Sequence, residues 1–436
     1  MLLLGTQGVN AKGHLEIGGC DAVDLAREFG TPLYVYDEAL LRENCRAYRR
    51  AFEARYPTIQ VEYAGKAFLC LAMARLVQEE GLHLDVASAG ELHTALRASF
   101  PAADIVFHGN NKSEAELSMA LEAGVGRVVV DSLFELDLLE SLVAIRPQPL
   151  EVLLRLAPGV DPHTHRRIQT GQQDTKFGLN VASGAAMEGI MRVLRTPGLI
   201  LTGVHTHVGS NLHDASAHLQ ALDVVLDFAG VVRAETGIAF EELNLGGGLA
   251  IRYLPDDEVM AVDAFAGILV DALMEGLARR HLPLPRLLVE PGRSIAGEAG
   301  TTLYTVGAIK EVPIAESPGW RLYVAIDGGM SDNPRPQLYD ALYTAAIANR
   351  AAAPATVQAR IAGKHCETDV LIPSATLAPP KPGDLLAVPS TGAYNYSMAS
   401  NYNRLPRPAA VFVRDGQARL VIRRETLDDL LRQDVP

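Results

Sequence analysis

Eight short runs of strand-forming residues, each followed by a longer stretch of helical periodicity, constrain this chain more than any other feature. The runs are VEYAGK (61–66), LHLDVAS (82–88), DIVFHG (104–109), RVVVDS (127–132), EVLLRL (151–156), LTGVHTHV (201–208), ELNLGG (242–247) and RLLVEP (286–291). Strands that alternate with helices pair in parallel, because each helix carries the chain back across the sheet. Eight such units over about 250 residues are the size of a (β/α)8 barrel, whose active site lies at the C-terminal strand ends. Those ends carry Lys66, Ser88, His108, Asp131, Arg155, His207, Gly246 and Glu290. Between them, the periodicity predicts helices over 68–81, 113–124 and 217–237.

Beyond residue 300 the pattern changes to strands, among them TTLYTVGAIKEV, WRLYVAID, ATVQARIAG, DVLI and DLLAVPS. The last is followed by AVFVRDGQARLVIRR, a hairpin in which Asp415-Gly416 suits a type I′ turn. An Ala-rich helix is expected over 345–355. Residues 1–36, ending in the strand-like PLYVYD, are also read as β and should join this part. The expected organisation is therefore an α/β chain: a barrel over 37–300 and a second all-β domain from 1–36 plus 301–436.

Composition limits the partners. Of 436 residues, 39 are Lys or Arg and 52 Asp or Glu, a net charge of −13, which disfavours nucleic acid and anionic membranes. The four cysteines, Cys20, Cys45, Cys70 and Cys366, form no CxxC pair, the usage of a reducing cytosol. The start, MLLLGTQGVNAKGHL, has no basic, apolar leader pattern. The expectation is a soluble cytoplasmic protein.

Each strand end offers a distinct kind of chemistry. Lys66 follows an apolar strand, where desolvation favours a nucleophilic amine. NLGGGLA (244–250) allows backbone N–H groups to approach a phosphate. EPGRS (290–294) puts the Glu290 carboxylate at the last strand end, followed by Pro291, Gly292 and Arg293. HTHVGSN (205–211) places His205 and His207 two residues apart, hence on the same face of a strand, with Ser210 beyond. HxH also suits a metal, but no third ligand stands out and no metal is expected. Together, Lys66, His207, Gly246, Gly247, Gly248, Glu290 and Arg293 supply the parts of a pyridoxal 5′-phosphate site. They offer an amine, a ring to stack, a phosphate loop and an anion for the pyridine nitrogen.

The segments YAGKA, DVASAGEL, HGNNKS, DPHTH with DTKFG, HTHVGS, NLGGG, EPGRS, CETD and GAYNYSMASNYN resemble the fold-type III PLP-dependent decarboxylases. The resemblance is greatest to the branch that acts on diaminopimelate. It implies a PLP barrel of the alanine racemase type and a β-domain that completes the active site of a homodimer. By the same resemblance Lys66 carries the cofactor, His207 stacks on it and Glu290 faces its ring nitrogen. Ser210, Gly246 to Gly248, Pro291, Gly292, Arg293 and Tyr394 contact it. Cys366 resembles the thiol that returns a proton after CO2 leaves, reaching in from the neighbouring subunit. Two departures stand out: Phe68 replaces a small or polar residue, and CETD is shorter than the usual CES-x-D.

The distal end of the substrate decides among amino acids. Arg335 and Tyr339 resemble contacts to a distal carboxylate, with Arg293 contributing, and Glu367 resembles the partner of a distal ammonium; Tyr394 touches substrate as well as cofactor. The implied reaction is decarboxylation of meso-2,6-diaminopimelate to L-lysine and CO2, the last step of lysine biosynthesis. Two alternatives remain at this stage. One is a decarboxylase of ornithine, arginine, lysine or carboxynorspermidine; the other is a non-catalytic PLP-binding barrel. A racemase is disfavoured, because racemase-like sites put arginine, not a carboxylate, at the pyridine nitrogen.

Overall fold

A computed structural model describes residues 1–145, 148–160, 174–315 and 318–435. The DPHTH segment at 161–165 lies outside the described residues. The chain divides into two compact units, one of Asn44–Ala250 with Val259–Ser294, the other of Met1–Glu43, Ile251–Glu258 and Ile295–Pro436.

The first unit is a closed barrel of eight parallel strands: β1 (Ile59–Ala64), β2 (His83–Val86), β3 (Ile105–Phe107), β4 (Arg127–Val130), β5 (Leu150–Ala157), β6 (Leu199–His205), β7 (Glu242–Asn244) and β8 (Arg286–Val289). Closure runs through β8 and β1, with Leu287 opposite Ile59 and Val289 opposite Val61. Each strand falls within or beside a predicted run, because strands buried on both faces read as short apolar blocks. Val106, Val129, Leu153 and Leu288 pack together as one apolar layer.

Serine ends three of the βα turns. Ser88, Ser113 and Ser132 each accept the N–H of a glutamate three residues on, at Glu91, Glu116 and Glu135. Such caps contribute about 1 kcal/mol each, so Ser88, counted above among the chemical strand ends, serves as a helix cap. The predicted helices appear as Leu71–Glu79, Glu114–Ala123 and Ser216–Thr236.

The second unit is built on the long strand Gly300–Pro313, which pairs with Leu33–Asp37, Trp320–Ile326 and Leu385–Pro389. Leu33–Asp37 also pairs with Ala409–Arg414, so the PLYVYD segment joins this sheet. In the hairpin, Asp415 and Gly416 have φ of 52° and 75°, as a type I′ turn demands.

Two local expectations fail. Residues Ala22–Phe29 are helical, not β: Asp21 caps the start and Gly30, at φ 70°, ends it. The Ala-rich segment 345–355 forms no α-helix. Ala346–Ile347 pairs with Leu386 and Ala387, and only a 3-10 turn, Ala348–Arg350, follows. Asn349 donates to Asp384 and accepts from the Leu385 N–H. These tertiary bonds outweigh alanine's helix propensity.

Candidate active site

In the barrel unit, Lys66 sits in a 3-10 turn directly after β1 and is the one exposed residue between Val61 and Phe68. Its charge reaches Asp85, Glu91 and the His207 ring. Glu290 follows β8 and is buried. It accepts from Asn244 Nδ2 at 2.8 Å, and His205 Nε2 and His108 Nε2 lie 3.3 and 3.2 Å from its oxygens. Burial alone would raise this carboxyl, but the flanking His205 and His108 rings outweigh it and hold Glu290 well below the usual carboxylate range. Its neighbours Glu62 and Asp85 go the other way, pushed well up by burial and then by the Glu290 charge.

The two histidines of HTH do not share a strand face, because β6 ends at His205. His205 turns into the core toward Glu290. His207, half-buried, accepts the Gly247 N–H at Nδ1 (3.3 Å). Burial, then Lys66, pushes its pKa well down, leaving a neutral ring. A third metal-type donor does exist: His108, His205 and Glu290 have ligand atoms within 4.8 Å of one another. In this trio, though, both rings are turned on the carboxylate.

The glycine loop is a close-approach cradle. A Cβ on Gly247 would stand 2.0 Å from the Glu290 carbonyl oxygen, and one on Gly246 2.7 Å from His207 Nδ1. The loop's carbonyls are all used internally: Gly246 accepts from the Glu290 N–H, Gly247 from His218 Nε2, Gly248 from the Leu212 N–H. Arg293, buried, donates to Ser210 Oγ from Nη2 at 3.0 Å. Pro291 and Gly292 turn the chain between Glu290 and Arg293; the Pro291 carbonyl accepts the Ala64 N–H, and Gly292 packs on Ala64 and Ala67. We expect Gly247→Ala to cost about 1–3 kcal/mol through overpacking and to weaken cofactor affinity, measured by thermal melting of apo and loaded protein and by cofactor titration.

Sequence reasoning assigned no role to Glu62, Asn244 or His218, and quoted Asp85 only within a motif. A carboxylate at 62 inside an apolar strand was the available signal. Lys112 of HGNNKS is structural: it pairs with buried Glu135 at 2.8 Å and donates to the Gly109 and Val129 carbonyls. In DTKFG, the Phe177 ring lies under the Arg155 guanidinium at 4.3 Å.

The second unit holds the remaining expected residues. Arg335 is buried; it donates to the Tyr343 hydroxyl at 2.6 Å and lies over the Tyr253 ring at 4.7 Å. Tyr339 ends the same short helix, Arg335–Tyr339, half-buried. Cys366 is exposed with a free thiol, and its N–H donates to Asn403 Oδ1. Glu367 accepts the Tyr402 hydroxyl at 2.6 Å. The segment is anchored by buried Asp369, which accepts from the His365 ring (2.6 Å) and the Met330 N–H. Tyr394, half-buried, adopts φ 59°. Phe68, in the barrel unit, is fully buried, with its carbonyl accepting the Tyr63 hydroxyl.

This residue set fits pyridoxal phosphate: an exposed amine, an ionised buried carboxylate, a neutral ring and a glycine cradle beside Arg293 and Ser210. Residues 38–297 match the family model described as pyridoxal-dependent decarboxylase, pyridoxal binding domain. The chain is 49% identical to diaminopimelate decarboxylase of Bacillus subtilis, over 100% of this chain and 98% of the relative. It is 47% identical to that of Mycobacterium leprae, over 96% and 89%. The crystal structure of diaminopimelate decarboxylase from M. jannaschii in complex with L-lysine is similar at a TM-score of 0.92, with 36% identity over 100% of this chain and 99% of that one. Among the described residues no helix is long and apolar enough to cross a membrane. Site geometry, family model and full-length likeness agree, and the chain belongs to the pyridoxal-dependent decarboxylases, in the diaminopimelate decarboxylase family.

Proposed function

We propose that this chain removes one carboxylate from meso-2,6-diaminopimelate, releasing CO2 and L-lysine, with pyridoxal phosphate as cofactor. The observation that carries the chemistry is buried Glu290, held by Asn244 and flanked by two histidine rings, at the same strand-end face of the barrel as the exposed Lys66. Pyridoxal phosphate, when bound, supplies an electron sink for the pair left behind by CO2. Lys66 would hold it through its side-chain amine. Glu290 keeps a proton at the ring nitrogen, and the neutral His207 ring covers one face. The loop of Gly246, Gly247 and Gly248, with Ser210 and Arg293, receives the phosphate; Pro291 and Gly292 set the turn that aims Arg293, and Tyr394 adds a hydroxyl.

Specificity is assigned to the far end of the substrate. Arg335 and Tyr339, with Arg293, bind the distal carboxylate, and Glu367 the distal ammonium. A buried guanidinium suits a carboxylate and opposes the bare ammonium of lysine or ornithine. Cys366 returns the proton to Cα, acting in the site of a partner subunit in a cytoplasmic homodimer. Loaded protein given meso-diaminopimelate should yield CO2 and L-lysine in equal amounts, with far lower turnover of ornithine, arginine or lysine. Ornithine turned over as fast as diaminopimelate would refute the substrate assignment.

A further inference from the structure

The Glu62 carboxyl occupies a place that barrels ordinarily fill with branched apolar side chains. It is fully buried on β1. One oxygen accepts from Gln60 Nε2 at 2.7 Å, the other from Asn244 Nδ2 at 3.2 Å. That same Asn244 nitrogen donates to Glu290 Oε1 at 2.8 Å, and Asn244 Oδ1 accepts the Gly246 N–H at 2.8 Å. A single buried amide therefore ties Glu62 to the carboxylate assigned to the ring nitrogen and to the first glycine of the phosphate cradle.

The amide has two hydrogens, and the two carboxyl groups take one each. Asn244 is thereby fixed in rotation: turned over, it would aim its oxygen at two acceptors and its nitrogen at the Gly246 N–H. Glu62 also feels the charges of Asp85, on the adjacent strand β2, and of Glu242 on β7, with Arg127 the nearby cation. Burial and the Glu290 charge push the Glu62 carboxyl well up, while Glu290 stays ionised. Like charges this close in a core cannot both persist.

We propose that Glu62 is a positioning residue for Glu290: through Asn244 it fixes the orientation of the Glu290 carboxylate. This rests on the role given to Glu290 above. Glu62 acts without touching the cofactor. Its work needs a strong acceptor at this point, so glutamine, with Gln60 free to turn its amide, replaces it; methionine matches its length but its thioether is only a weak acceptor.

The test compares Glu62→Gln, Glu62→Met and Glu290→Gln with the wild-type holoenzyme. In Glu62→Met, kcat should fall about 10-fold, the effect of one buried hydrogen bond left unmade, with KM within about twofold. Without substrate, the pH at which the cofactor's absorption reports loss of the ring proton should drop by about one unit, the equivalent of that factor. Glu62→Gln should match the wild type in both. The proposal is overturned if Glu62→Met behaves as wild type, if Gln and Met fall equally, or if neither variant folds, which would make Glu62 a stability residue. Glu290→Gln separates the layers. If it alters rate and spectrum while Glu62→Met does not, only the Glu62 role fails; if it alters neither, the Glu290 assignment fails and takes this one with it.

Discussion

Mixing two inactive variants should restore activity. Lys66→Ala removes the cofactor-bearing amine and Cys366→Ala the proton donor, and each alone should lose activity by at least about 10³-fold, within the range for a positioned proton-transfer group. If Cys366 serves the partner's site across a two-fold interface, a mixed dimer contains one site with both lesions and one with none. Random exchange makes about half the dimers mixed, so the mixture should approach roughly a quarter of wild-type activity. Exposure of Cys366, with its backbone held by Asn403 and its segment anchored on Asp369 and Tyr402, supports a thiol presented outward from its own unit. Subunit exchange must be confirmed separately. A mixture as inactive as its components would return Cys366 to its own subunit's site or to a structural role.

Glu290→Gln should retain cofactor and lose decarboxylation by roughly 10² to 10³, the effect of removing one preorganised charge from an enclosed site. The amide keeps the shape and can still pair with Asn244, yet it cannot hold a proton at the ring nitrogen. Glu290 is held by the two rings and Asn244 and is given no contact with the substrate, so the loss should appear in kcat with little change in KM. The folded-state pKa of Glu290 lies below its ordinary value, so its carboxylate form persists as pH falls and is lost only well into the acid range. An acid limb near neutrality in the wild type therefore belongs to another group. Near-normal kcat in a cofactor-saturated Glu290→Gln protein would show that something else protonates the ring.

Most of the barrel was legible because its strands are short, apolar and separated by longer stretches of helical periodicity, patterns that depend on neighbours in sequence. Helix Ala22–Phe29 was not, since its boundary rests on Asp21 and Gly30 within a stretch otherwise rich in strand residues. Alanine content misled at 345–355, where pairing with Leu386 and Ala387 decides the backbone. For the site, the lysine, glycines and Glu290 stood out at strand ends. The links behind them did not: Asn244 lies 182 residues from Glu62 and 46 from Glu290, and buried His218 reaches the glycine loop from the first turn of the helix Ser216–Thr236. Such pairings exist only once the barrel closes. The divergence of His205 and His207 likewise depends on where β6 stops, which an alternating pattern does not mark.

The central claim is that the barrel mouth around Lys66 is where the cofactor is held. Borohydride reduction of the loaded protein, followed by proteolysis and mass mapping, tests it most directly. The account predicts a pyridoxyl adduct on the peptide containing Lys66 and none in the Lys66→Ala protein; an adduct on another lysine, or no adduct in protein that shows decarboxylation, would contradict it.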